Sequence, residues 1–168
     1  MALNETDAVL LVAELPFSGL QQLLNSYGLT LHLIELQGSI PGSYWGDSEA
    51  GIIGHSIYIR PDTPMHSFLH ETCHVICMDE ARRQQLHTDA GGETPEEDAV
   101  CYLQILLADQ FPKFGQARAL RDMDRWGYTF RLGSAQRWFE EDAEDARLWL
   151  LKHELINSQN QPTLKLRT

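Results

Sequence analysis

His70-Glu71-Thr72-Cys73-His74 is the stretch that decides how this chain folds and which chemistry it can support. The five residues read H-E-x-x-H. On a helix, residues four apart lie on one face, so the two imidazoles can bind a single Zn²⁺. Glu71 directly follows the first histidine and can reach a water molecule whose pKa a zinc ion lowers. The pattern therefore predicts metal-assisted hydrolysis, with His70 and His74 as metal ligands and Glu71 as general base.

The residues around the motif predict one long helix. Thr63 can cap this helix, and Pro64 suits its first position. No helix-breaking residue follows until about Arg83, and apolar side chains supply a buried face. Arg82 and Arg83 suit the C-terminal end, where cations interact favourably with the helix dipole. The alternative is an ordinary helix that carries two histidines by chance.

A third metal ligand is expected from the next helix, which is predicted to begin at Thr94. Thr94 and Glu97 form a capping-box pattern, and Pro95 suits the first turn. Glu96 shares a face with apolar side chains and therefore projects toward the core, which favours it as the third ligand. The other candidates are three carboxylates and one histidine: Glu97, Asp98, Glu80 and His87.

These segments together resemble the ImmA/IrrE-like metallopeptidases, which are gluzincin-type zinc enzymes. The resemblance covers roughly residues 16–107: a short helix, strands that end near 56–61, the H-E-x-x-H helix and a Glu-x-x-Ala helix. It implies an α+β fold with a small mixed sheet packed on the zinc helix and further C-terminal helices, a minimal zincin-like arrangement. It also implies that the strand 56–59 is an exposed edge beside the site, to which a substrate peptide could add.

The resemblance assigns roles to four residues of this chain. The family's ligand glutamate lies three residues before the alanine, which corresponds to Glu96 here. The general base corresponds to Glu71, and the ligand histidines correspond to His70 and His74. The implied cofactor is Zn²⁺, and the implied partners are a peptide or protein substrate and a regulatory protein.

One departure from the family pattern favours a second interpretation. The family usually carries Asn or Asp after the alanine, where it supports a ligand histidine, but this chain has Val100. A non-catalytic zinc domain with a regulatory or peptide-binding role is therefore the alternative. Cys77 or His66 would then close the site as a fourth ligand.

The length and the net charge of the chain limit which other classes of function are expected. The chain has 168 residues and a net charge of −11, which argues against binding to nucleic acid or anionic membranes. One domain is expected over residues 1–156, followed by a flexible tail over 157–168. The acidic start, 1–7, does not read as a signal peptide, so the expected location is the cytoplasm. Three cysteines give no disulfide framework.

The other elements are predicted from periodicity and turn residues. Helices are expected over residues 17–27 and 114–126, and from a cap at Ser134 to about residue 156. A strand over 29–36 is predicted, followed by a loop that contains Tyr44 and Trp45. Residues 52–59 are predicted to form either a strand pair or one strand with a bulge at Gly54. Residues 128–133 are expected to be extended. Three residues of this C-terminal part are candidates to stabilise an oxyanion: Tyr128, Arg131 and His153.

Overall fold

The computed structural model describes residues 8–44 and 46–168. Within these ranges the chain forms seven α-helices and one small mixed sheet of three strands, which confirms the predicted α+β class. The predictions for the acidic start, 1–7, and for Trp45 lie outside the described residues.

The helices agree with most of the predicted segments but not with all of their bounds. In chain order they are α1 Phe17–Ser26, α2 Met65–Cys77, α3 Glu80–Gln85, α4 Thr94–Ala108, α5 Gly115–Trp126, α6 Ala135–Glu141 and α7 Glu144–Lys152. The predicted final helix is thus divided into α6 and α7, and Ser134 caps the first of these. Of residues 128–133, which were predicted to be extended, 128–130 have no regular secondary structure and 131–132 form a turn.

The sheet has the order β1-β3-β2, with β1 Thr30–Leu33, β2 Gly51–Ile53 and β3 Ser56–Ile59. β3 pairs in parallel with β1 and antiparallel with β2, so both of its edges are occupied. Ile57 and Ile59 of β3 are fully buried, and α2 packs on β2 and β3. The prediction that this strand is the exposed edge is therefore wrong, because the parallel crossover from β1 covers its second side.

The zinc-motif helix is shorter than predicted at its C-terminal end. It stops at Cys77, and Met78 is extended (φ −74°, ψ 157°). Asp79 then caps α3, since its carboxylate accepts the backbone N–H of Arg82 at 2.9 Å. At the N-terminal end, Pro64 takes the capping position, while the hydroxyl of Thr63 accepts the N–H of Arg60.

A buried arginine satisfies the free carbonyl groups at the end of α2. Arg83 is 1% exposed, and its guanidinium donates to the carbonyls of Val75, Ile76 and Met78. It also donates to Glu80 at 2.8 Å and to the carbonyl of Arg167. Carbonyls at a helix end that water cannot reach need such donors.

The C-terminal segment, 157–168, makes specific contacts with the rest of the chain. The amide of Asn160 donates to the Tyr102 hydroxyl at 2.9 Å. The backbone N–H of Arg167 donates to the carbonyl of Ile76 at 3.0 Å, and its guanidinium donates to the carbonyl of Cys77. The segment therefore covers the end of the motif helix.

Replacing Arg83 with methionine should destabilise the fold. The variant keeps most of the side-chain volume but leaves buried carbonyls without donors, which should cost about 3 kcal/mol. For a chain of this size, the melting temperature should fall by about 6–12 °C in thermal unfolding. Arg137→Met is the control, because the Arg137 guanidinium lies at the surface, where it pairs with Glu141 and donates to the carbonyl of Leu132. A melting temperature for Arg83→Met equal to that of the control would contradict this role.

In the stretches 8–44 and 46–168, no helix combines the length and the apolar character needed to cross a membrane.

Candidate metal centre

Two histidines of α2 and one glutamate of α4 meet where these helices pack against each other. His70 Nε2 and His74 Nε2 are 3.1 Å apart. The carboxylate of Glu97 lies 3.2 Å from the Nε2 of His70 and 3.1 Å from that of His74. The three side chains form the group of possible metal ligands in the described part of the chain.

The spacing of these donor atoms fits a tetrahedral zinc ion. Donors at about 2.0–2.1 Å from a tetrahedral zinc lie about 3.3–3.5 Å apart, close to the separations of 3.1–3.2 Å seen here. Two imidazoles and one carboxylate form a donor set that occurs in catalytic zinc sites with an open fourth position. The Glu97 side chain is 48% exposed, so the group opens to solvent on that side.

The charge of Glu97 suits a metal ligand. Burial would raise the pKa of its carboxyl group, but hydrogen bonds with His70 and His74 lower this pKa below its usual value. Glu97 is therefore an anion at neutral pH, as a carboxylate ligand must be.

Gln104 of α4 orients the first histidine. Its amide nitrogen donates to the carbonyl of His66 at 3.3 Å, which directs its Oε1 atom toward His70 Nδ1 at 2.6 Å. Because Oε1 can only accept, Nδ1 of His70 carries a proton, which leaves Nε2 as the nitrogen that would bind a metal ion. The family pattern places the residue that supports a ligand histidine at position 100. Gln104 lies one turn after Val100 and forms a hydrogen bond with His70 instead.

Gln104→Leu should weaken zinc binding about 10–100-fold, because His70 would lose the partner that fixes its tautomer and ring orientation. Competition with a chromophoric chelator would measure the affinity. Gln104→Glu is the matched control, since it keeps an oxygen acceptor at the same distance. Wild-type affinity in Gln104→Leu would show that this hydrogen bond does not support the metal centre.

The structure places Glu96, the predicted third ligand, away from the histidines. Its carboxylate accepts from Arg82 at 2.7 and 2.9 Å and from Arg167 at 3.0 Å. Gly92 packs so closely that a Cβ atom there would lie 2.0 Å from Glu96 Oε2. The sequence indicated correctly that Glu96 is buried, at 5% exposure, but its neighbours are guanidinium groups. Among the described residues, Glu97 and not Glu96 joins the two histidines in the group of possible metal ligands.

The face of α4 that meets α2 explains this difference. Glu97 and Gln104 are seven residues apart, two turns along the same side of the helix. Cys101, between them, also contacts His70. Gln104 is the lone amide in the apolar part of the helix, and its spacing from Glu97 was the signal that could have identified the correct face. The predicted capping role of Glu97 is also wrong, since the helix has Glu93 at its capping position and no side-chain cap.

The other candidate ligands have different partners. Glu80 pairs with Arg83 and His55, and His87 bonds the hydroxyl of Thr88 at the surface. Asp98 lines a separate cavity beside Phe130 and Trp138. The proposed fourth ligands do not close the site either, because Cys77 and His66 are not part of the group within the described residues.

Glu71 lies between two depressions at the metal position. One is bordered by His74, Glu97 and residues 88–91, and the other by His66, His70 and Tyr128; each encloses about 200 Å³. Among the described residues, its carboxylate has no hydrogen-bond or ion-pair partner. Burial raises the pKa of Glu71, an effect that the nearby His70 and His74 oppose. A carboxylate with a raised pKa is suited to accept and return a proton.

Tyr128 is the one oxyanion candidate of the three that reaches the site. Its ring meets that of His70 edge-on, with centroids 5.4 Å apart, and its hydroxyl lies 3.3 Å from His66 Nδ1. Burial raises the pKa of Tyr128, so the hydroxyl keeps its proton. Arg131 instead pairs with Asp142 at the surface, and His153 packs on Trp149.

A glycine turn at the end of α5 brings Tyr128 to this position. Gly127 has φ 101°, a left-handed conformation that favours glycine. The N–H of Gly127 bonds the carbonyl of Asp124, and that of Tyr128 bonds the carbonyl of Met123. This Schellman pattern reverses the chain after Trp126, so that Trp126 and Tyr128 both face His66.

Comparison with known proteins identifies no relative of this chain. No family model matches the chain, and it matches neither a curated protein nor a solved structure. The function must therefore be argued from the site itself.

Proposed function

We propose that this chain is a zinc-dependent hydrolase, a peptidase of minimal zincin-like fold, that cleaves a peptide bond. The observation that carries the proposal is the meeting of His70, His74 and Glu97 beside the unpaired carboxylate of Glu71. The group offers three metal ligands and one open side, and a general base lies next to it. This is the arrangement that hydrolysis with a metal-activated water requires. The ImmA/IrrE-like resemblance supports the same reaction class.

His70, His74 and Glu97 would hold the ion. Bound there, Zn²⁺ would supply a Lewis acid able to polarise a carbonyl group and to lower the pKa of a water molecule. Glu71 takes a proton from the attacking water and returns it to the leaving amine, which needs a carboxylate whose pKa is shifted toward neutrality. The hydrogen bond from His70 to Gln104 keeps the imidazole of His70 in one tautomer throughout the proposed reaction.

Tyr128 would stabilise the negative charge that develops on the carbonyl oxygen. Its hydroxyl keeps its proton, because burial raises its pKa, and it lies in the depression that Glu71 also lines. If His66 donates from Nδ1 to the Tyr128 oxygen, the Tyr128 proton is free to point at the substrate.

A non-catalytic zinc domain has less support. That alternative was based on two expectations. One was that no polar side chain would hydrogen-bond a ligand histidine, and the other was that Cys77 or His66 would be a fourth ligand. Gln104 provides the support, and the three-residue group stays open on the side of Glu97.

Cleavage of a diverse peptide mixture, followed by mass spectrometry, tests the proposed function. Purified zinc-loaded protein should release new peptide termini, and a strong chelator should abolish this activity because it removes the ion. Added zinc should restore the activity. No cleavage by protein that contains one zinc ion per chain would leave only the non-catalytic alternative.

A further inference from the structure

The cavity beside Glu71 has features of a binding pocket for a side chain. It encloses about 200 Å³ and is lined by Glu49, His66, Ser67, His70, Glu71, Trp126 and Tyr128. It therefore adjoins both the proposed general base and the proposed oxyanion donor. The cavity is thus placed to receive the side chain of a substrate residue next to the cleaved bond.

Glu49 is held in this cavity by two contacts. The backbone N–H of its neighbour Ala50 donates to the hydroxyl of Ser67 at 3.0 Å, which anchors the loop on α2. The indole N–H of Trp126 donates to the carboxylate of Glu49 at 3.2 Å. Among the described residues, Glu49 forms no ion pair. Its negative charge thus lacks a counter-ion at the wall of a cavity.

No arginine or lysine among the described residues lines this cavity. Burial raises the pKa of Glu49, and the hydrogen bond from Trp126 and the charge of His70 oppose this effect. His66 is 1% exposed, and burial, with a smaller effect of His70, lowers its pKa to about 3. His66 is therefore neutral, and its buried Nε2 has no hydrogen-bond partner among the described residues. The walls also include the rings of Trp126 and Tyr128. Aromatic faces and carboxylates attract cations that carry several donors.

We propose that this cavity binds the side chain of an arginine or lysine of the peptide substrate, with Glu49 as its counter-charge. This inference rests on the proposed peptidase function for the identity of the substrate. The aliphatic part of such a side chain packs against Trp126 and Tyr128, and its charged end reaches Glu49. Glu49 is thus a specificity residue and takes no part in the chemical step.

Binding of two small probes tests the cavity without any need for turnover. The probes are the N-acetyl methylamides of arginine and citrulline, which differ in charge but hardly in shape. Zinc-loaded protein labelled with 5-fluorotryptophan reports binding by ¹⁹F NMR, and Trp126→Phe assigns the signal. We expect the arginine probe to shift the Trp126 signal and to bind about tenfold more tightly than the citrulline probe.

Glu49→Gln is the decisive variant, because glutamine keeps an acceptor for Trp126 and removes the charge. It should bring the two probes within about twofold of each other. Asp47→Asn removes a charge from the same loop outside the cavity lining and should keep the tenfold preference. Equal binding of both probes to the wild-type protein, or an unchanged preference in Glu49→Gln, would overturn the proposal.

Cleavage assays separate this inference from the proposed function. If the arginine probe binds as expected but no peptide is cleaved, the cation pocket stands and the peptidase function fails. If peptides are cleaved with no preference for arginine or lysine beside the bond, and the probes bind equally, the pocket fails while the peptidase function stands.

Discussion

Glu71→Gln should keep about one zinc ion per chain and lose activity by about 10²–10⁴-fold in kcat. Glutamine has the shape of glutamate but cannot accept a proton from water. His70, His74 and Glu97 are unchanged, so metal binding should persist. The measurement is kcat on the best-cleaved peptide, together with the zinc content of the same preparation.

Glu140→Gln is the matched control for this variant. It removes a glutamate charge from α6, where Glu140 contacts Gln136 at the surface. Its activity should equal that of the wild-type protein. If Glu71→Gln retained more than about a tenth of the wild-type kcat, Glu71 would not be the general base.

Glu97→Gln should weaken zinc binding at least about 100-fold, because a neutral amide replaces the anionic ligand of the group. This loss should exceed the effect of the Gln104 variant, which alters only the support of a ligand. Chelator competition would give the zinc affinity, and cleavage at limiting zinc should fall in parallel.

Glu96→Gln provides the matched control from the adjacent position. It should keep zinc affinity within a few-fold of wild type but lower stability by about 1–3 kcal/mol, since Arg82 and Arg167 lose their anionic partner. Denaturant unfolding measures the stability change. The opposite pattern, with zinc lost in Glu96→Gln and kept in Glu97→Gln, would return the third ligand to Glu96.

Local patterns in the sequence were enough to predict the motif helix. His70 and His74 are four residues apart, so the helical repeat alone places them on one face. The prediction of a buried Glu96 was also correct, because apolar residues at helical spacing mark the core side of α4. The α+β class was implied by the family resemblance, and the seven helices and three strands of the described residues agree with it.

The features that the sequence could not supply depend on distant contacts. Which of two adjacent glutamates meets the histidines is decided by Arg82, 14 positions away, and Arg167, 71 positions away, which bind Glu96. Gln104 is 34 positions from His70 in the chain. The central place of β3 likewise depends on a crossover from β1, which turn residues do not reveal.

Zinc content of the purified wild-type protein, measured by elemental analysis after dialysis, is the most direct test of the central claim. We expect about one zinc ion per chain. No zinc, even after the ion is added back, would contradict the metal centre formed by His70, His74 and Glu97. The peptidase proposal would then have to be abandoned.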